Sequence, residues 1–334
     1  MTEAIKNRKN LIVLLAAFFA VYVFWGSTYL AIKLTIETLP PFLMAGTRFA
    51  FAGIILFVWA RFTKDYERPK FEHWRTAAIV GTFLLLGGNG AVVVASQYIP
   101  SSMTALLVAT EPLFVVMLSW LWLGNARPNW KVASGLIVGF IGVFILISGK
   151  GPGSAGVGGY QQWFGYGAVI IGALSWATGS IYGLKASTPK SSLLTAGMQM
   201  LAGSASLFLV GLIRGEHMTF DPAAVSSNSI FALFYLIVFG SLMGFTAYSW
   251  LLKNAQPAMV ATYAYVNPVI AVVLGWSIAG ESLTAQMLIG AFVIVASVIL
   301  ITANKSEKSN DDDDLAIHHS QTPSCNRPSY STSS

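Results

Sequence analysis

The chain has 334 residues, of which 55% are hydrophobic and only 10% charged, with a mean hydropathy of +0.64. A soluble protein carries about 25% charged residues to keep its surface wetted, so a water-soluble fold is excluded. The single cysteine, Cys325, likewise excludes a disulfide scaffold and a cysteine-based zinc or redox centre.

Residues 11–32 follow Lys6, Arg8 and Lys9 and contain no charge. The run has no small-x-small cleavage site, so it reads as a first membrane helix and not as a leader. Comparable runs follow at 42–60, 76–95, 103–123, 131–148, 165–184, 193–213, 230–251, 258–279 and 285–303, each near the roughly 20 residues that cross the hydrocarbon layer. In lipid, backbone polar groups must pair within their own segment, so these runs are helices. The expectation is an all-α multi-pass membrane protein with ten transmembrane helices.

With the amino terminus in the cytoplasm, the outer loops hold only Lys33, Lys150 and Arg214 of the 20 basic residues, and Arg48 lies inside a span. The rest gather on inner segments. The positive-inside rule then puts both termini in the cytoplasm of a cell inner (plasma) membrane. The net charge of +6 reflects that topology and contact with anionic lipid, and does not call for a nucleic acid partner.

Shifting the chain on itself by 156 brings Gly88 onto Gly244, Ala91 onto Ala247, Ala105 onto Ala261, Pro112 onto Pro268 and Trp120 onto Trp276. Near the start, a shift of 151 brings Trp25 onto Trp176, Gly46 onto Gly197 and Arg48 onto Gln199. The expected organisation is an inner segment 1–10, a first repeat 11–149, a Gly-rich linker 150–164, a second repeat 165–304 and a disordered tail 305–334. Five spans per repeat is an odd number, so the second copy enters from the opposite face and the two five-helix halves are inverted. Such halves underlie alternating access in many transporters.

The segments FWGSTYLAI (24–32), PPFLMAGTRF (40–49), GGNGA (87–91), ALLVATEPLF (105–114), LSWATGSIYG (174–183), YAYVNP (263–268) and AGESL (279–283) together resemble the drug/metabolite transporter superfamily and its EamA family. The resemblance runs over about 11–303. It implies ten helices in two EamA repeats, and a permease that effluxes or exchanges small organic metabolites.

Only two ionised side chains lie deep in the spans, Arg48 and Glu111. A charge at that depth is costly unless paired or hydrated. Glu111 is a candidate for binding an amine and for carrying a proton, or else forms a structural pair with Arg48. Arg48 either meets a substrate carboxylate or snorkels to the nearby interface. Glu111 falls on Asn267 across the repeat, each followed by a proline, Pro112 and Pro268, which either kinks its helix or frees a carbonyl one turn earlier. Thr82, Asn89 and Ser96 recur every seven residues, which holds them on one helix face as a candidate polar wall of a binding cavity, with Asn89 a candidate substrate-binding residue. Trp25, Trp176 and Tyr263 first, and Gln199 and Tyr248 after them, are candidates for an aromatic and polar wall around a small ligand. The same aromatics could serve only packing or interfacial belts.

Signals of catalysis are missing from the sequence. Gly151, Gly153 and Gly156 spell a dinucleotide fingerprint but are interrupted by Pro152 with no strand before them. His73, His217, His318 and His319 all fall outside the spans, so neither a metal cage nor a cofactor is expected, and neither is an enzyme. The expected function is a secondary active transporter of small organic metabolites, amino-acid-like or drug-like, exporting or exchanging by alternating access. A passive channel or facilitator, and more distantly a lipid-modifying enzyme or scramblase, are the alternatives. Glycine pairs such as Gly135 with Gly139 allow close helix approach, which leaves a homodimer open.

Overall fold

The computed structural model describes residues 2–123, 130–148, 159–255 and 262–300. Within them the apolar runs fold as helices: α1 (Thr2–Thr35), α2 (Pro41–Ala60), α3 (Phe71–Ala95), α4 (Ser101–Val108 continuing as Glu111–Leu123), α5 (Trp130–Ile147), α6 (Tyr160–Lys185) and α7 (Ser192–Ile213). After a short connection come α8 (Ser227–Tyr235, Leu236–Met243 and Gly244–Asn254 end to end), α9 (Tyr263–Ser277) and α10 (Ala285–Leu300). Seven of the described helices are long and apolar enough to cross a membrane by length and composition, while α5, α9 and α10 supply shorter apolar stretches. No strand occurs among the described residues. The Gly-rich segment 149–158, with its fingerprint glycines, and the tail with Cys325, His318 and His319 lie outside the described residues.

Local chemistry sets the helix starts. Pro41 opens α2 at a position where a missing N–H costs nothing. Ser191 accepts from Leu194 N ahead of α7, and Ser226 from Ser229 N ahead of α8, each satisfying an orphan donor. Helix α6 begins at Tyr160, ahead of the expected 165, so the end of the proposed linker is helical.

Burial is arranged for lipid. Large residues such as Phe19, Ile54, Ile171 and Phe231 are exposed, whereas Ala52, Ala105, Ala177 and Ala271 are fully buried. With hydrocarbon outside, packing and not water exclusion drives helix association, and small residues permit it. Helices α2 and α7 lie side by side through glycines: a Cβ on Gly197 would come 2.8 Å from Phe57 N, and one on Gly46 equally close to the Phe208 ring. These two glycines are the pair that the shift of 151 superimposes.

Helix α1 packs on α8 and α9, and α6 packs on α3 and α4. Each half thus lays its first helix across the third and fourth helices of the other. The third helix of each half also carries a π segment, Thr82–Gly90 in α3 and Leu236–Met243 in α8. A shift of 156 makes the two overlap over 238–243. The π turn adds a residue to the helical repeat, so the seven-residue spacing of Thr82, Asn89 and Ser96 no longer equals two turns. The expected common polar face is therefore not formed. Thr82 bonds Ser206 of α7 at 2.9 Å and Ser96 folds back onto Val92 O at 2.8 Å. Asn89 alone of the three reaches the cavity described below.

Candidate functional site

A cavity of about 830 Å³ of empty space, its mouth included, lies between the two halves. Helix α1 contributes Trp25, Thr28, Tyr29 and Ile32; α2, Arg48 and Phe49; α3, Gly88, Asn89 and Val92; and α4, Val108 and Glu111. From the second half come Gly172, Ala173 and Trp176 of α6, Gly240, Ser241 and Phe245 of α8, and Tyr263 and Asn267 of α9. Of the residues singled out in the sequence, Trp25, Arg48, Asn89, Glu111, Trp176, Tyr263 and Asn267 share this one wall.

Gln199 and Tyr248 do not line it. Tyr248 sits behind the wall with its ring 5.1 Å from Trp25 and 5.8 Å from Tyr263. Gln199 lies on the part of α7 that meets α3, where its carbonyl leaves no room for a Cβ on Gly81. Thr28, Tyr29, Phe49, Ser241 and Phe245 add further polar and aromatic surface to the wall. Ser241 had a faint signal in the sequence, a hydroxyl in the otherwise apolar run 236–243.

The two deep charges are not partners of each other. Arg48 is buried, donates Nε to Ser241 Oγ at 2.9 Å and stacks its guanidinium 4.7 Å from the Phe49 ring centre. It therefore does not snorkel. The only salt bridge among the described residues joins Lys33 to Glu281, so the expected alternative of an Arg48–Glu111 pair is not formed in this conformation. The Glu111 carboxylate takes part in no hydrogen bond or ion pair among the described residues. Its helix is interrupted at Ala109 and Thr110, which makes Glu111 the first residue of the second α4 segment. An anion at that position meets the positive end of the helix dipole.

Its counterpart Asn267 lies inside α9. With Nδ2 facing two carbonyls, Asn267 donates to Tyr263 O and Tyr22 O at 3.2 Å each. Pro268 stands inside α9 without an N–H, so the Ala264 carbonyl loses its usual helical donor. Pro112 instead follows a helix break. The two matched prolines thus produce different backbones.

The matched tryptophans seat on matched glycines. Gly88 admits the Trp176 ring, where a Cβ would lie 2.6 Å from it, and Gly244 admits the Trp25 indole even more closely. Gly244→Val is expected to push Trp25 off the wall at a cost of about 1–3 kcal/mol of overpacking, read as a lower unfolding midpoint in detergent, with Gly244→Ala intermediate.

The end of the bundle where α1 finishes and α2 and α4 begin is stitched between halves. Glu281, in the turn between α9 and α10, accepts at Oε1 from Ser101 N and Oγ at 2.8 Å and from Lys33 Nζ at 3.0 Å. Its Oε2 accepts from Ser102 N at 3.0 Å and from Ser102 Oγ. Burial pushes this carboxyl up, but the Ser102 and Lys33 donors outweigh it and hold Glu281 below the usual carboxylate range. Glu216, between α7 and α8, caps α2 in the same manner, accepting from Phe42 N at 3.0 Å and Leu43 N at 2.9 Å. Ser229 Oγ donates to Leu34 O at 2.9 Å, and Ser226 N to Thr38 Oγ1 at 3.2 Å.

Apolar helices enclosing a polar and aromatic cavity, with a lipid-type exterior, define a multi-pass membrane protein of the transporter class. Residues 10–148 and 163–303 each match the EamA-like transporter family, and the chain belongs to that family, with its repeat present twice. It is 37% identical over 299 residues to a protein of Escherichia coli (strain K12) named "Uncharacterized inner membrane transporter YedA", covering 89% of this chain and 93% of that one. It is 28% identical over 297 residues to "Uncharacterized transporter YvbV" of Bacillus subtilis (strain 168), again covering 89% and 93%. A solved crystal structure superposes with a TM-score of 0.58 at 21% identity, over 87% of this chain and 96% of that one, a likeness of fold.

Proposed function

We propose that the chain is a secondary active transporter that exports or exchanges a small organic metabolite by alternating access. The observation that carries this reading is one cavity that draws Arg48 and Glu111 from one half and Trp176, Tyr263 and Asn267 from the other, with the two charges unpaired with each other. A site with a cation, an anion and aromatic walls suits an amphipathic molecule bearing a carboxylate and an amine. Arg48 takes the carboxylate, Glu111 the amine or a proton, and the rings take the apolar body.

The chain crosses the inner membrane ten times, as two inverted five-helix repeats over 11–149 and 165–304. The reciprocal packing of α1 on α8 and α9 and of α6 on α3 and α4 supports that arrangement. Both termini are cytoplasmic, because the basic residues gather on that side. The stitched end then faces outward, and the conformation is closed toward the outside.

Counterflow of labelled cargo in proteoliposomes tests the reading, because acceleration by cargo on the far side needs a carrier and a channel does not give it. Arg48→Lys keeps the charge but loses the planar fork, and is expected to lower counterflow of a carboxylate cargo more than about tenfold. An unchanged rate would remove Arg48 from the site.

A further inference from the structure

Arg48 carries five N–H groups in a fixed fork, and the fold has already engaged one edge of it. Nε donates to Ser241 Oγ at 2.9 Å, with both residues buried. A Cβ built on Gly240, the residue before Ser241, would lie 3.0 Å from Nη2, so the backbone of α8 comes close to the guanidinium there as well. The guanidinium carbon also lies over the Phe49 ring, 4.7 Å from its centre.

The neighbouring carbonyl has a matching task. In a regular α-helix Gly240 O would receive the N–H of Gly244. In the π segment that N–H is shared between Phe239 O and Ser241 O instead, and Gly240 O accepts the Trp25 indole N–H at 3.1 Å. Two consecutive residues of one π turn therefore orient a charged side chain from α2 and an aromatic one from α1 on the cavity wall. The overlaid π segment of α3 has Leu84 and Leu85 in the corresponding places, so only one half is built this way.

We propose that Ser241 is a positioning residue: by occupying Nε it turns the Nη1–Nη2 end of Arg48 to the cavity, as an end-on fork for an organic carboxylate. Side-on approach through Nε is blocked by the Ser241 hydroxyl. This rests on the proposed role of Arg48 as the carboxylate site, and adds which edge binds and what holds it. Removing the hydroxyl leaves Nε without its buried acceptor, and the fork rotates to recover one.

A matched pair of probes, 3-phenylpropionate and 3-phenylpropionamide, differs only in the charged group. Titrated calorimetrically into the purified full-length protein, the wild type is expected to prefer the carboxylate. Ser241→Ala and the near-isosteric Ser241→Cys should weaken carboxylate binding about tenfold and leave the amide unchanged, while Ser241→Thr, which retains a hydroxyl, restores the preference. Equal weakening of both probes, or an unchanged carboxylate affinity in the Ala and Cys variants, would overturn the positioning role. Arg48→Lys separates the underlying reading: if it keeps the wild-type preference, or if the wild type shows none, then Arg48 is not the carboxylate site and the inference about Ser241 falls with it.

Discussion

Glu281→Ala is expected to cost the protein roughly 2–4 kcal/mol, seen as an unfolding midpoint in detergent lower by about 5 °C or more. The carboxylate satisfies the first backbone donors of α4 and both serine hydroxyls there, in a site from which water is largely excluded. Alanine leaves those donors facing nothing. Lys33 contributes less than its 3.0 Å distance suggests, since its side chain is 34% exposed and solvent screens it. Lys33→Met should therefore lower the midpoint by a small fraction of the Glu281→Ala effect. Because the folded protein holds Glu281 below the usual carboxylate range, its contribution is fully present above the unfolded value of about 4.3 and is lost as pH falls below that through the folded value. The variant should lose this part of the acid sensitivity. An identical midpoint and acid profile in wild type and Glu281→Ala would mean that the bonds between α4 and the turn before α10 do not hold the end together.

Much of the cavity was legible because membrane sequences make polar residues conspicuous. Arg48 and Glu111 stood out as the only deep charges, and the internal repeat then pointed to Asn267, Trp25 and Trp176. The same repeat misled at Gln199. Pseudo-symmetry of the backbone does not extend to every side chain, and the stretch of α7 equivalent to the Arg48 turn packs against Gly81 of α3. The π segments left no mark in composition, because one extra residue in a turn does not alter an apolar run, and so the heptad of Thr82, Asn89 and Ser96 suggested a face that the helix does not present. Glu281 was hidden for a different reason. It lies within AGESL, one of the segments that carry the family resemblance, but as a loop carboxylate it reads as solvated until the fold brings Ser101, 180 residues earlier, to 2.8 Å. Ser241 needed the same kind of long-range closure, since nothing near it in sequence names Arg48 as its partner.

Glu111→Gln is expected to separate binding from energy coupling. The glutamine preserves size and one acceptor oxygen, and makes this position resemble its counterpart Asn267, which serves the second half as a neutral amide. If Glu111 is the group that takes up and releases a proton, the variant holds one state at every pH. Transport driven by a proton gradient should then fall more than about tenfold and lose its pH dependence, whereas counterflow at equal pH continues, because exchange needs no net proton movement. Stability should not fall with it. An ionised carboxylate inside a membrane bundle costs several kcal/mol unless compensated, and the helix end at Glu111 offers only partial compensation, so replacing it by an amide should leave the unfolding midpoint unchanged or raise it. That combination distinguishes a functional carboxylate from a structural one, whose loss would lower stability and both transport modes together. Gradient-driven transport with wild-type pH dependence in Glu111→Gln would exclude Glu111 as the proton carrier, and would shift attention to exchange of one metabolite for another as the source of energy.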